Sequence, residues 1–266
     1  MQAVPLGFFL FLAQFAAGVL IVTTLLDWEG EVSAGYLVLN GIFALLAIGA
    51  GLWLRWILPA ERLVGFPVPR EWLSAEVIAW GLFAALGAVQ LGLLRTERRP
   101  AGRVAGAATS LAGVASLGVS AVAYGTAAGL APLLLAAFGL GALALGTVWS
   151  GMMLGHWYLV TPLLKPRPLL RLNWALTAAL VMQLALTLWP LAAGALGALD
   201  GMVQSLYWLR LIVGLVAPLA LAWPIWRTAR VRSMMSATGL LYVSLGLVLA
   251  GQIMACAFYF VSGLAV

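Results

Sequence analysis

The sequence predicts an all-α integral membrane protein, with eight transmembrane helices arranged as two tandem parallel four-helix repeats. Three observations predict it. Hydrophobic residues make up 64% of the chain and charged residues 8%, with mean hydropathy +1.09. A soluble domain of this size carries about 25% charged residues, because its surface faces water. Apolar runs longer than about 18 residues, enough to cross a hydrocarbon core, recur along the chain. Short segments also recur in the same order in its two halves. Helices satisfy their own backbone hydrogen bonds in lipid, and the alternating pattern of a β-barrel is absent from the sequence.

The first span, 3–26, closes on Asp27-Trp28. The second, 36–58, opens on Leu37-Val38-Leu39-Asn40. The third, 73–94, begins at Trp72-Leu73 and ends on Arg95-Thr96-Glu97-Arg98. The fourth, 104–124, carries Ser116-Leu117-Gly118. The fifth, 130–155, closes on His156-Trp157, and the sixth, 174–198, follows Leu170-Arg171-Leu172-Asn173. The seventh, 206–226, opens around Trp208-Leu209 and ends on Arg227-Thr228-Ala229-Arg230. The eighth, 239–263, carries Ser244-Leu245-Gly246. These matches make residues 1–126 the first four-helix repeat and 127–266 the second, within one membrane domain. Four is even, so both repeats run the same way across the membrane, related by a pseudo-twofold along its normal.

Two connections have length: Pro59 to Glu71, with the turn Phe66-Pro67-Val68-Pro69, and Thr161 to Leu172, with Pro162, Pro166 and Pro168. Neither holds an extramembrane domain, so soluble chemistry must come from a partner chain. Arg95, Arg98, Arg99, Arg103, Lys165, Arg167, Arg171, Arg227, Arg230 and Arg232 follow the third, fifth and seventh spans. Arg55, Arg62, Arg70 and Arg210 mark the opposite side. This asymmetry predicts a multi-pass protein of a cell inner membrane, with the basic loops cytoplasmic and both termini outside. The net charge of +6 then reports topology rather than a nucleic-acid partner. The amino-terminus lacks a basic n-region and its first apolar run is long enough to span, so no cleavable signal is expected.

Duplication turns isolated residues into pairs. Asp27 and His156 close equivalent spans at the cytoplasmic side. A carboxylate and an imidazole there could relay protons or hold a quinone carbonyl during reduction, with Trp157 and Tyr158 stacking on the head group. The alternative is that the aromatics form an interface belt and the two polar groups are solvated. Glu76 and Arg210 lie about one turn inside the outer ends of the third and seventh spans. They are expected to form an interhelical salt bridge, or an outer proton or anion site with Arg210 as the fixed cation. Gln14, Gln90, Gln183 and Gln252 are read as interhelical hydrogen-bonding residues.

Much chemistry falls away. One histidine and one cysteine exclude a bis-histidine haem, an iron–sulfur cluster or a structural zinc site built from this chain alone. The single lysine, Lys165, lies in a loop, where it cannot form a mid-span retinal Schiff base. No Ser-His-Asp set, H-E-x-x-H helix or phosphate-binding loop is present.

In helix number, repeat plan and lack of haem ligands, the chain resembles the membrane anchor subunits of the polysulfide and nitrite reductases. That resemblance implies a subunit of a respiratory or photosynthetic-type redox complex with no covalent cofactor. Such a subunit docks an iron–sulfur partner and binds quinone as well as membrane lipids. Two other readings stand beside it. One is a small-solute transporter or channel, with Pro190, Pro218 and Pro224 as candidate helix breaks. The other is a structural assembly subunit packed between larger membrane partners.

Overall fold

A computed structural model describes residues 4–57, 70–96, 98–125, 129–161 and 164–265. Arg62, Phe66-Pro67-Val68-Pro69, Glu97, Pro162 and the expected repeat boundary at 126/127 lie outside them. Every regular element among the described residues is helical. In chain order they are α1 (Val4–Glu29), α2 (Ala34–Ile57), α3 (Arg70–Arg95), α4 (Arg99–Gly125), α5 (Ala131–Val160) and α6 (Arg167–Ala192). There follow a 3₁₀ turn (Ala195–Ala198), α7 (Gly201–Leu211), a π turn (Ile212–Val216), α8 (Ala217–Arg230) and α9 (Met234–Ser262). Joined through the π turn, α7 and α8 form one rod, Gly201–Arg230. Eight helices among the described residues are therefore long and apolar enough to cross a membrane.

The helices run past the apolar stretches at both ends, because a charged residue at a terminus does not stop a helix. Thus α1 carries Asp27 and Trp28 inside its last turn and ends only at Gly30, whose φ of +72° suits a residue without Cβ. The sixth helix departs most from expectation. It starts at Arg167 with proline in its first turn, rather than at 174, and stops at Ala192, rather than 198. Proline is suited to a helix start, where its missing N–H costs nothing. At the other end Pro190 lies in the last turn and Gly194, with φ +73°, turns the chain away. Arg167 and Arg171 thus belong to a helix rather than to a loop.

Helix α1 is the centre of the bundle: 83% of its apolar stretch is buried, against 50% for α5 and less for every other span. It packs on α2, α4, α5 and α9. The first four helices close a ring, α1–α2–α3–α4–α1, and the rest close another, α5–α6–α8–α9–α5. The rings meet where α1 crosses α5, where α1 touches α9, and where α4 touches α5. At the main crossing Gly18 and Gly146 lie backbone against backbone, and a Cβ on either would overlap the other helix. Close approach through small residues is how helices associate where lipid supplies no hydrophobic drive.

Outward faces are large and apolar: Leu46, Trp53, Trp56, Ile78, Leu111 and Trp189 are all well exposed. Around a whole bundle such a surface suits hydrocarbon rather than water. The basic residues from Arg95 to Arg103, with Lys165, Arg171 and Arg227 to Arg232, gather at one end, called the basic end below. The opposite one is the far end.

Candidate functional site

Three polar centres lie inside this apolar bundle, and they differ in how completely each is neutralised.

At the basic end Asp27 is buried, and α4 supplies its counter-charges. Arg99 Nε donates to Asp27 Oδ1 at 2.6 Å, and Arg103 Nε lies 3.6 Å from the same oxygen. The two guanidinium groups also donate to the Val32 and Asp27 carbonyls at 2.9 and 2.7 Å. Arg103 stacks over the Trp28 ring at 5.9 Å. Arg171 pairs with Glu29 at 2.6 Å. His156 is exposed, one turn before the end of α5. Trp157 packs edge-on against Tyr36 at 6.2 Å, and the Tyr158 hydroxyl donates to the Lys165 carbonyl. Asp27 is therefore neutralised by two arginines and has no need of an imidazole partner. Both aromatic neighbours of His156 are engaged in packing.

At the far end, α2, α3 and α4 enclose Glu76, which has no exposed surface. Arg55 Nε donates to Oε2 at 3.3 Å, Tyr124 OH to Oε2 at 2.7 Å and Ser120 Oγ to Oε1 at 2.8 Å. The Trp80 indole N–H donates to Ser120 Oγ at 3.0 Å, locking the hydroxyl toward the carboxylate. Three side chains thus donate to the two carboxylate oxygens. An ionised carboxylate withdrawn from water needs such a set to offset its lost hydration. The expected Glu76–Arg210 bridge does not form. The partner of Glu76 is Arg55, which the sequence marked only as a basic residue of the opposite side and which α2 turns inward. The reason is topological: α3 packs on α2 and α4, whereas Arg210 belongs to the other ring.

The third centre, also toward the far end, surrounds Arg210 on α7. The side chain is 1% exposed. Its Nη2 donates to Gln183 Oε1, and Gln183 Nε2 donates to the Leu140 carbonyl at 3.0 Å. Nε has no partner among the described residues. Close by, Gln252 Nε2 donates to Gln14 Oε1 at 3.0 Å, and Gln14 Nε2 to Cys256 Sγ at 3.4 Å. These amides occupy space left by Gly141, where a Cβ would overlap both of them. The rod bends its hydrogen-bond pattern right after Arg210, in the π turn that precedes Pro218. Proline cannot donate to the preceding turn, and π turns recur at functional positions. The Pro218 break lies in the π-turn region, and Pro190 and Pro224 sit inside α6 and α8 without ending them there.

Two cavities lie in this part of the bundle, and the smaller borders the Gln14 and Gln252 amides. A small one is lined by Gln14, Leu134, Phe138, Gln252, Cys256 and Tyr259 among others. A larger one, of about 220 Å³, is walled by Leu130, Leu133, Leu186, Trp189, Pro190 and the Gly263–Ala265 segment. Ala265 borders both. The apolar chamber and the pocket of amide, thiol and phenol groups thus share one wall residue, and the Tyr259 hydroxyl of that pocket donates to the Tyr124 carbonyl at 2.7 Å.

No group of three or more metal-ligating side chains occurs among the described residues. Compared with protein-family models and with curated proteins, the chain matches no family and no relative.

Sequence reasoning singled out Glu76 and Arg210 as ionisable residues within apolar runs, and the structure buries both in long apolar helices. It missed Arg55, Ser120 and Tyr124 as partners of Glu76, Trp80 as the donor that holds Ser120, and Cys256 as a neighbour of Arg210. A helical register would have helped: Ser120 and Tyr124 are four apart, so they share one helix face.

Proposed function

We propose that this chain is a multi-pass membrane subunit of a redox complex, holding a lipid-soluble quinone in the far half of its bundle. The observation that carries the reading is the 220 Å³ apolar chamber, which borders, across Ala265, the small pocket of Gln14, Gln252, Cys256 and Tyr259. An isoprenoid quinone has the matching polarity, an apolar tail and a head with two carbonyl acceptors. Ligand sites of this kind are apolar clefts with a few placed donors that fix orientation. The head group would lie in the 220 Å³ chamber between α5, α6 and the carboxy-terminal segment, at its Ala265 side, with the tail leaving along the lipid-facing helices.

With one histidine and one cysteine in the chain, electrons would reach the quinone from a partner subunit bearing the redox centres. The basic end offers Arg95, Arg98, Arg227 and Arg230, all exposed, as a docking face in the cytoplasm. Both termini then lie outside. The two rings of helices are read as tandem parallel repeats. The reading is supported by the matching contacts α1–α9 and α5–α4 on either side of the α1–α5 crossing. His156 has no part in this site, since it stands exposed at the basic end.

The test is photo-crosslinking of the purified chain with an azido-quinone, followed by peptide mapping. Label on α5, the carboxy-terminal segment or α9, reduced by Leu133→Trp and Gln252→Leu, supports the site. Label that is spread evenly over the lipid-facing helices, or unchanged in both variants, overturns it.

A further inference from the structure

The last two turns of α8 carry an aromatic and basic face that the bundle leaves largely uncovered. Trp223 is 64% exposed, and Arg227 and Arg230 are exposed as well. Trp226, Arg227 and Arg230 follow Trp223 by three, four and seven residues, so all four side chains share one helix face. The Trp223 and Trp226 rings stack with centroids 4.9 Å apart and planes 26° from parallel. The Arg230 guanidinium sits over the Trp226 ring at 5.1 Å. An arginine is attracted to an aromatic face and keeps its N–H edge for a bidentate acceptor such as phosphate.

These charges meet no acid among the described residues. Residues 201–266 contain neither aspartate nor glutamate. The acids described at the basic end are held by other cations: Asp27 by Arg99 and Arg103, Glu29 by Arg171, and Glu31 by Lys165 at 3.9 Å. Nearby Arg232, with φ +59° at the turn into α9, donates to the Leu164 carbonyl at 3.3 Å and is engaged at the α5–α6 connection.

Depth selects the ligand. At a rise of about 1.5 Å per residue, Trp223 lies about 10 Å from Arg230 along the helix axis. The headgroup layer on one side of a bilayer is about 5–8 Å deep, so the face runs from headgroup level into the acyl chains. A soluble acidic protein would reach the arginines from the water and leave Trp223 bare. A zwitterionic lipid would cover the tryptophans but bring its own ammonium to the arginines. An anionic phospholipid matches both levels, with its phosphate accepting from Arg227 and Arg230 and its glycerol and upper acyl chains on the indoles. Basic sites on the flanks of membrane helices hold such head groups, and tryptophan favours this depth.

We propose that the Trp223, Trp226, Arg227 and Arg230 face of α8 binds one anionic phospholipid. The inference rests on insertion of the bundle in a membrane and goes beyond the quinone reading, using none of the residues of the apolar chamber. A partner subunit docked on the basic end would meet the bound head group together with the arginines.

The experiment uses the full chain, purified in detergent without quinone or partner. It is titrated with phosphatidylglycerol or with phosphatidylcholine of the same acyl chains, and bound lipids are counted by native mass spectrometry. One phosphatidylglycerol per chain should be retained under conditions that strip phosphatidylcholine. Arg227→Gln and Arg230→Gln should each weaken that binding about fivefold, the scale of one basic residue at an anionic surface. Trp223→Leu should weaken it at unchanged net charge. The pair Arg95→Gln and Arg98→Gln, which removes as much charge from the α3–α4 connection, should leave it intact. All five positions are exposed, so these variants should keep the wild-type melting temperature. Equal retention of the two lipids overturns the proposal, as does an equal loss in the Arg95/Arg98 pair, which would mark a bulk charge effect. Binding unmoved by Trp223→Leu, or displaced by millimolar inorganic phosphate, also overturns it, leaving the arginines to a soluble anion or an acidic partner. With no quinone present, each result leaves the azido-quinone labelling to stand or fall by itself.

Discussion

The Glu76 and Arg210 centres invite comparison, because both bury a full charge toward the same end of the bundle. Around Glu76 the neutralisation is complete: an arginine, a tyrosine and a serine point at one carboxylate. Around Arg210 it is not. One amide oxygen accepts from the guanidinium, Nε is left without a partner, and the chain beside it departs from α-helical pattern. A closed centre holds helices together and fixes their register; an open one leaves capacity for something the chain does not itself supply. The difference separates a structural polar cluster from a candidate site more clearly than burial does.

Removing the acid from the closed centre should have the largest effect. Glu76→Gln takes the carboxylate from Arg55 inside the bundle, and should cost about 3–5 kcal/mol in thermal or denaturant unfolding. Adding Arg55→Met should recover most of that loss; if the double variant is as unstable as the single one, the pair is not the source of the cost. Arg210→Met should behave in the opposite sense. It should be neutral or stabilising by about 1–4 kcal/mol, as when buried charges give way to apolar side chains. A strong destabilisation would mean that Arg210 is fully compensated within the chain.

Smaller effects sharpen the picture. Gly141→Ala drives a methyl into the amides of Gln14 and Gln252 and should cost about 1–3 kcal/mol by overpacking. Asp27→Asn removes the basic-end counter-charge, whose arginine partners are about one-third exposed. Its cost should be about 1 kcal/mol and should shrink as salt is added. His156→Ala should change neither melting temperature nor azido-quinone labelling; a lost label would return the quinone to the basic end.

The helices were largely legible from the sequence because apolar length is a local property. The run from Phe8 to Leu26 needs no partner to declare itself. Boundaries were less legible, since the Arg167 start of α6 depends on proline geometry rather than hydropathy. Glu76 and Arg210 were conspicuous for the same local reason: a charge within an apolar run has a high cost wherever the helix goes. Their partners were not, because pairing depends on which helices become neighbours. Symmetry suggested Glu76 with Arg210, whereas the α2–α3–α4 contacts join Glu76 to Arg55, Ser120 and Tyr124.

By itself the sequence determined that this chain is helical, apolar and crossed by eight long runs, with basic residues gathered between alternate pairs. Each of those follows from composition and spacing along one dimension. Only the tertiary structure decided that α1 lies at the centre, that Asp27 is caged by Arg99 and Arg103, and that His156 is left outside. It also decided that one buried charge is answered and the other is not. Polar pairing acts over a few ångströms in three dimensions, and residues 21 to 242 positions apart come within that range only after the helices have packed.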